Sequence, residues 1–324
     1  MHIIVVGANG FIASHFVPLA LTAGHQLTLV ANGNFQRQKF SDLDCELPNT
    51  TVLFGGLAAL AEEVDLLASA DAVCHFASSS IPSTSNADPL ADIAENLLPS
   101  VALLEGMRNA QCKRIVFLSS GGAIYGHPLT QPIKEDHPTR PISSYGVTKL
   151  GIESYLGMYA DQHGFQSTII RPSNAYGPGQ INANCFGAVT TFLENCLTDQ
   201  EAQIWGDGSI VRDYIFVTDI VELILAALGE DKPGVYNCGS GVGTDINLLI
   251  ANIESVVGKP LRKSNCPARP FDPEAIVLDI TRAKQRFGWR PKISLEIGLQ
   301  KTLAGMRRRQ DPIDPSKNWQ HNAK

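Results

Sequence analysis

The 324-residue chain is 44% hydrophobic and 18% charged, a globular composition with more apolar material than one small core needs. Its net charge of −6 comes from 26 basic and 32 acidic side chains with no basic block, which argues against nucleic acid or an anionic membrane surface as a partner. The seven scattered cysteines (Cys45, Cys74, Cys112, Cys185, Cys196, Cys238, Cys266) form no CxxC pair, so reduced thiols in a cytoplasmic protein are expected, with no metal site and no disulfide framework.

The first apolar run, His2–Gly7, lacks a basic leader and is too short for a signal peptide or a membrane span, so it reads as a strand. Further β-rich runs follow at Leu27–Val30, Val52–Phe54, Ala72–Phe76, Arg114–Leu118 and Ser167–Ile170. Helical spacing occupies Ile12–Ala23, Ala87–Arg108 and Val147–His163 between them. Strands alternating with helices predict an α/β fold, a Rossmann-type doubly wound parallel sheet with right-handed crossovers. After Pro172 turn-rich segments separate shorter elements, with returns to the main sheet expected near Val217–Leu228 and Val235–Asn237. The predicted organisation is a dinucleotide-binding domain over 1–172, with returns near 210–240. A smaller substrate-binding α/β domain covers mainly 173–308, and a poorly ordered polar tail covers 309–324.

Gly7-Ala-Asn9-Gly10-Phe11-Ile12-Ala13 joins the first strand to the first helix. Small residues there let the backbone approach a pyrophosphate, and the helix N-terminus offers it free N–H groups. Past the second strand the usual acidic partner of a ribose is missing, since the chain reads Leu29-Val30-Ala31-Asn32. Arg37, in the polar loop that follows, fits either the 2′-phosphate of NADP or an ordinary solvated loop. NAD and NADP therefore stay open at this point.

Tyr145 and Lys149 stand at i and i+4, on one face of a helix. A phenol must fall from about pH 10 toward neutrality to act as a base, roughly 4 kcal/mol. A cation at about 4 Å contributes a similar amount at an effective dielectric near 20. Ser119 and Ser120 close the fifth strand, at the sheet edge where open α/β folds assemble their sites.

Taken in order, these motifs resemble the extended short-chain dehydrogenase/reductase family, in its NAD-dependent epimerase/dehydratase group, and most of all the UDP-glucose 4-epimerase-like members. The matching residues also include His75-Phe76-Ala77, Asn96, Ala123-Ile-Tyr-Gly126, Arg171-Pro-Ser-Asn174, Tyr176-Gly-Pro-Gly179, Trp205-Gly-Asp-Gly208, Arg212-Asp-Tyr214, Arg269-x-x-Asp272 and Asp279. The resemblance implies that Tyr145 is the acid/base, that Lys149 lowers its pKa and holds the nicotinamide ribose, and that Ser120 orients the sugar hydroxyl. It implies that Asn174, Arg212 and Arg269 bind the nucleotide diphosphate, and that Asp272 holds a hydroxyl. The residues set against the dinucleotide are Gly7, Asn9, Gly10, Phe11, Ile12, Asn32 and Arg37, joined through the resemblance by Phe76, Ala77, Asn96, Tyr145 and Lys149. The implied reaction inverts C4 of a nucleotide sugar through a transient 4-keto sugar.

The chain departs from the family pattern at two places. Counting back from Tyr125, the family's serine falls on Gly121, and Phe54-Gly-Gly-Leu57 lacks the carboxylate expected after the third strand. Where a 4,6-dehydratase has Thr-Asp-Glu this chain has Ser120-Gly121-Gly122, which argues against that reaction. An NADP-dependent nucleotide-sugar reductase and a non-catalytic dinucleotide-sensing protein are the alternative readings. The resemblance further implies a homodimer through Asn96–Arg108 and Val147–His163, and it sets Ile276 at the family's N-acetyl-gating position.

Overall fold

The computed structural model describes residues 1–33, 49–82, 84–181, 187–269 and 272–310. Arg37, and the predicted tail beyond residue 310, lie outside the described residues. Six parallel strands come from the first 172 residues: β1 (His2–Val6), β2 (Gln26–Ala31), β3 (Thr50–Phe54), β4 (Ala72–His75), β5 (Arg114–Leu118) and β6 (Gln166–Pro172). Four shorter segments or strands follow as β7 (Asn174–Tyr176), β8 (Ala202–Trp205), β9 (Val211–Phe216) and β10 (Gly234–Cys238). The order β10-β6-β5-β4-β1-β2-β3 makes a seven-stranded sheet whose direction of growth reverses between β1 and β4. A crevice forms outside the carboxyl ends of the strands at such a reversal.

Near-continuous apolar strands fit a sheet covered on both faces, because successive side chains point to opposite sides. Ile3 and Val5 pack into one core cluster with Phe16 and Val17 of helix α1 (Phe11–Thr22), while Ile4 and Val6 enter the opposite cluster. Of the next helices, α2 (Gly56–Glu62) and α3 (Val64–Ala68) precede β4, and α4 (Pro89–Asp92) and α5 (Leu98–Asn109) follow it. Helix α6 (Ser144–His163) starts three residues before the predicted helix, capped by Ser143, whose Oγ accepts from Gly146 N at 3.2 Å.

The predicted helix Ala87–Arg108 is one element only in outline. A π turn at Ile93–Leu97 separates α4 from α5. Pro99 sits in the first turn of α5 and has no N–H to return to the preceding turn, so the ladder widens there.

The later segment adds α7 (Ala188–Thr198), α8 (Val217–Gly229), β11 (Gly243–Asp245), α9 (Ile246–Val257), β12 (Lys263–Cys266), β13 (Ala275–Ile276), α10 (Thr281–Phe287) and α11 (Leu295–Gln310). Strand β9 is flanked by β11 and β13 and also pairs with β7, while β8 pairs with β12. A separate apolar cluster (Phe192, Leu193, Leu249, Ile253, Leu299) lies among α7, α9 and α11. Helix α8 returns to the main sheet through Ile220 and Ile224, packed with α1, before β10 adds the seventh strand. Among the described residues no helix is long and apolar enough to cross a membrane.

Candidate active site

A cavity of about 560 Å³ occupies the crevice, running from the N-terminus of α1 past the carboxyl end of β5 to β9 and the loop at Asp272. At the α1 end the wall is mostly backbone. Gly7 has φ +86°, and a Cβ there would come within 2.7 Å of Ala77 Cα and N. Only glycine meets both demands. Gly10 caps α1 without a side-chain hydrogen bond, so the first-turn N–H groups beside Gly10, Phe11 and Ile12 stay available to an anion. Asn9 instead ties the loop down, donating from Nδ2 to Asn32 O at 3.1 Å.

The other end is built from side chains. Lys149 is 4% exposed, and its Nζ donates to Leu118 O at 3.0 Å and lies 4.9 Å from the centre of the Phe117 ring. Burial pulls this amine down to about 8, against the opposing pull of Asp92 and Glu153. Its Nζ is 5.7 Å from the centre of the Tyr145 ring. Burial pushes the Tyr145 phenol up to about 12, opposed by a hydrogen bond with Ser120 and reinforced by Asp92. The sequence reading expected the neighbouring ammonium to lower this phenol outright. In the structure desolvation of the phenol is the largest influence on it.

Gly121 accounts for the displaced serine. Its N–H donates to Pro172 O at 2.8 Å, and a Cβ would lie 2.5 Å from Leu278 Cδ1 and 3.0 Å from Arg171 O. A side chain at that position would have to displace the end of Leu278, whereas Ser120 lines the cavity and bonds Tyr145. The carboxylate missing after β3 also has a local cause. A Cβ on Gly56, at φ +67°, would collide with Asn32 Oδ1, so Asn32 takes the space a longer residue would fill.

Of the residues singled out by the sequence, Gly10, Phe11, Ile12, Phe76, Ser120, Tyr145, Lys149, Asn174, Arg212 and Asp272 share the cavity wall. Gly7, Asn9, Asn32 and Ala77 stand behind it, shaping the turn. Asn96 also stands behind it. Its Oδ1 accepts from Ser79 N and its Nδ2 donates to Ser79 Oγ, each at 2.8 Å, so it shapes the loop that carries Ser78 and Ser80 rather than facing the cavity. Arg269 is not on the wall either, for its guanidinium stacks 4.0 Å from the centre of the Trp205 ring. Ile276 packs with Ile124, Tyr125, Ile133 and Leu278 away from the cavity.

Arg212 donates to the carbonyls of Val211 and Pro273 at 2.8 and 2.9 Å. Burial lowers its pKa, while the charge of Asp272 opposes that shift. A half-buried guanidinium held mainly by carbonyls attracts an anion. Ser119 Oγ and Tyr214 Oη are buried on the same wall without a hydrogen-bond partner. Ser119 is marked in the sequence by its place beside Ser120 at the end of β5, and Tyr214 by its place in the Arg212-Asp-Tyr214 match. A glycine cradle at a helix N-terminus, a buried ammonium and unsatisfied hydroxyls together fit a dinucleotide lying beside a polar, anionic second ligand.

The family model for the NAD-dependent epimerase/dehydratase family matches residues 3–239. The chain belongs to that family. It is 34% identical over 314 residues to UDP-glucose 4-epimerase of Mycolicibacterium smegmatis, covering 94% of this chain and 97% of that one. Among solved structures, the UDP-glucose 4-epimerase of Thermotoga maritima with UDP-glucose superposes with a TM-score of 0.89 at 32% identity, covering 96% of this chain and 100% of that one. The Thermus thermophilus UDP-glucose 4-epimerase complex with NAD gives a TM-score of 0.83 at 30% identity, covering 95% and 99%.

Proposed function

We propose that the protein is an NAD-dependent epimerase that inverts C4 of a UDP-sugar through a transient 4-keto sugar. The observation that carries this reading is convergence. Tyr145, Ser120 and Lys149 meet in one cavity whose far end is the glycine-walled N-terminus of α1. NAD, when bound, supplies a hydride acceptor that later returns the hydride, so no net oxidation results.

The chain's own residues then have separable tasks. The α1 N–H groups and the Gly7–Ile12 turn receive the pyrophosphate, and Lys149 holds the nicotinamide ribose. Arg212 and Asn174 hold the substrate diphosphate, and Asp272 takes a hydroxyl. Tyr145 Oη removes the proton of the sugar 4-hydroxyl as C4 is oxidised, and gives it back after the keto sugar has presented its other face. Ser120, already bonded to Tyr145, keeps phenol and sugar oxygen in line and favours the ionised phenol.

The nucleotide released on denaturation, identified by mass, is expected to be NAD. Incubation with UDP-, dTDP- and GDP-sugars is expected to give C4 inversion of a UDP-sugar. Absence of inversion across that panel, with NAD bound, overturns the assignment.

The assembly proposed is a homodimer through α4–α5 and α6, where Leu90, Leu98, Val147, Tyr155 and Met158 are exposed apolar side chains. Light scattering at twice the chain mass supports it, and the mass of a single chain rejects it.

A further inference from the structure

The turn that carries Tyr145 and Lys149 is fastened by one buried carboxylate. Asp92, the last residue of α4, is 3% exposed. Its Oδ2 accepts from Ser144 Oγ at 2.7 Å and Thr148 Oγ1 at 3.1 Å, the residues immediately before Tyr145 and Lys149. Its Oδ1 accepts from Ser80 Oγ at 2.6 Å and Asn96 Nδ2 at 2.9 Å. Ser80 belongs to the cavity wall, so a single side chain joins that loop, the π turn and the first turns of α6. Every donor is neutral. An asparagine has one acceptor oxygen where this site uses two, so the position requires a carboxylate rather than a generic polar group.

We infer that Asp92 is a positioning residue for the Tyr145–Lys149 pair, clamping the catalytic turn to the cavity-wall loop and presenting a buried negative charge to both groups. The inference rests on the epimerase reading for its consequence in turnover, while its physical content can be measured without turnover.

Lys149 is faced by Asp92 from α4, by Glu153 and Tyr145 from its own helix, and by His75 from β4. Glu153 is paired with Arg171 of β6 through both carboxylate oxygens. Burial, aided by Lys149, drives His75 down to about 3, so it adds no charge at neutral pH. Among the described residues Asp92 is therefore the carboxylate near Lys149 that no cation pairs, and it also raises the Tyr145 phenol. A negative charge favours the protonated form of both neighbours. Removing it lowers both pKa values.

The test compares Asp92→Asn with Asp92→Glu. The Lys149 amine is titrated by 15N NMR of lysine-labelled protein, with its resonance identified by loss in Lys149→Arg, and the pH profile of kcat/KM is recorded beside it. In Asp92→Asn the Lys149 midpoint and both limbs of the profile are expected to move to lower pH by about one pH unit, with kcat falling more than KM rises. Asp92→Glu, which keeps the charge, is expected to bring the midpoint back toward the wild-type value. A Lys149 midpoint that stays in place or rises in Asp92→Asn overturns the inference, whatever happens to activity, because losing the charge lowers the midpoint whereas hydration of a loosened site raises it. Should the wild-type protein invert no UDP-sugar, the functional reading fails while the NMR titration still judges Asp92. If Asp92→Asn does not fold, the double variant Ser144→Ala/Thr148→Val keeps the charge and removes both donors to Oδ2. Its Lys149 titration is expected to stay near the wild-type position while kcat falls severalfold, and an unchanged kcat overturns the clamp.

Discussion

The two ends of the cavity are built in opposite ways. At the α1 end the wall is backbone: Gly7 lies against the Ala77 main chain, and the helix offers N–H groups without a side-chain cap. At the α6 end the wall is made of side chains whose ionisation is set first by burial and then by their neighbours, Lys149 by Asp92 and Glu153, Tyr145 by Ser120 and Asp92. The first end is intolerant of added volume and indifferent to charge substitution at a distance. The second tolerates isosteric change but depends on each proton.

The largest effect expected from this contrast comes from a change of one oxygen. Tyr145→Phe removes the proton carrier and leaves the ring volume, so turnover should fall about 10³-fold, within the usual range for a lost general acid/base. Melting temperature and NAD affinity should stay near wild type. Turnover within about tenfold of wild type would remove Tyr145 from the base role. At the opposite end, Gly7→Ala adds a single methyl at φ +86°, 2.7 Å from main-chain atoms that cannot step aside. Left-handed strain and overpacking together cost about 2–4 kcal/mol, divided between stability and NAD affinity. Calorimetry and NAD titration measure the two shares. An unaltered Kd for NAD combined with an unaltered Tm would show that the turn is not the close-approach point described here.

What the sequence made legible follows the same division. Strand positions and the glycine turn are encoded locally, in apolar runs and small residues, so a parallel sheet and the α1 end could be anticipated from spacing. Returns of the chain at α8 and β10 were also anticipated, because both are strongly apolar segments inside a turn-rich region. The α6 end was legible as a list of residues but not as a set of ionisation states. Proximity of Lys149 to Tyr145 suggested a lowered phenol, and desolvation, visible only after folding, acts on the same phenol with the opposite sign. Crowding of a side chain at position 121 depends on Leu278 and the Arg171 carbonyl, both distant in sequence. Asp92 had no signal at all, since one acid in an amphipathic helix reads as a solvated face. Its burial is created by Ser80, Ser144 and Thr148 arriving from elsewhere in the chain.

The substrate side sharpens the contrast with two arginines that the sequence ranked together. Arg212 lies on the cavity wall, half-buried, with carbonyls for company. Loss of a charge-assisted hydrogen bond of about 1.5–3 kcal/mol predicts that Arg212→Ala raises KM for the UDP-sugar about 10- to 100-fold. NAD affinity should change little in that variant. Arg269 stands three residues before the wall residue Asp272, with its guanidinium on the Trp205 ring. Its truncation forfeits a cation–π contact within the protein of about 0.5–1 kcal/mol, a cost to stability rather than to binding, so KM should change by less than about threefold. Steady-state kinetics on the two variants under one set of conditions separates them. If Arg269→Ala matches or exceeds Arg212→Ala, Arg269 must leave Trp205 to meet the diphosphate, and the substrate end would be assembled by binding rather than waiting in place.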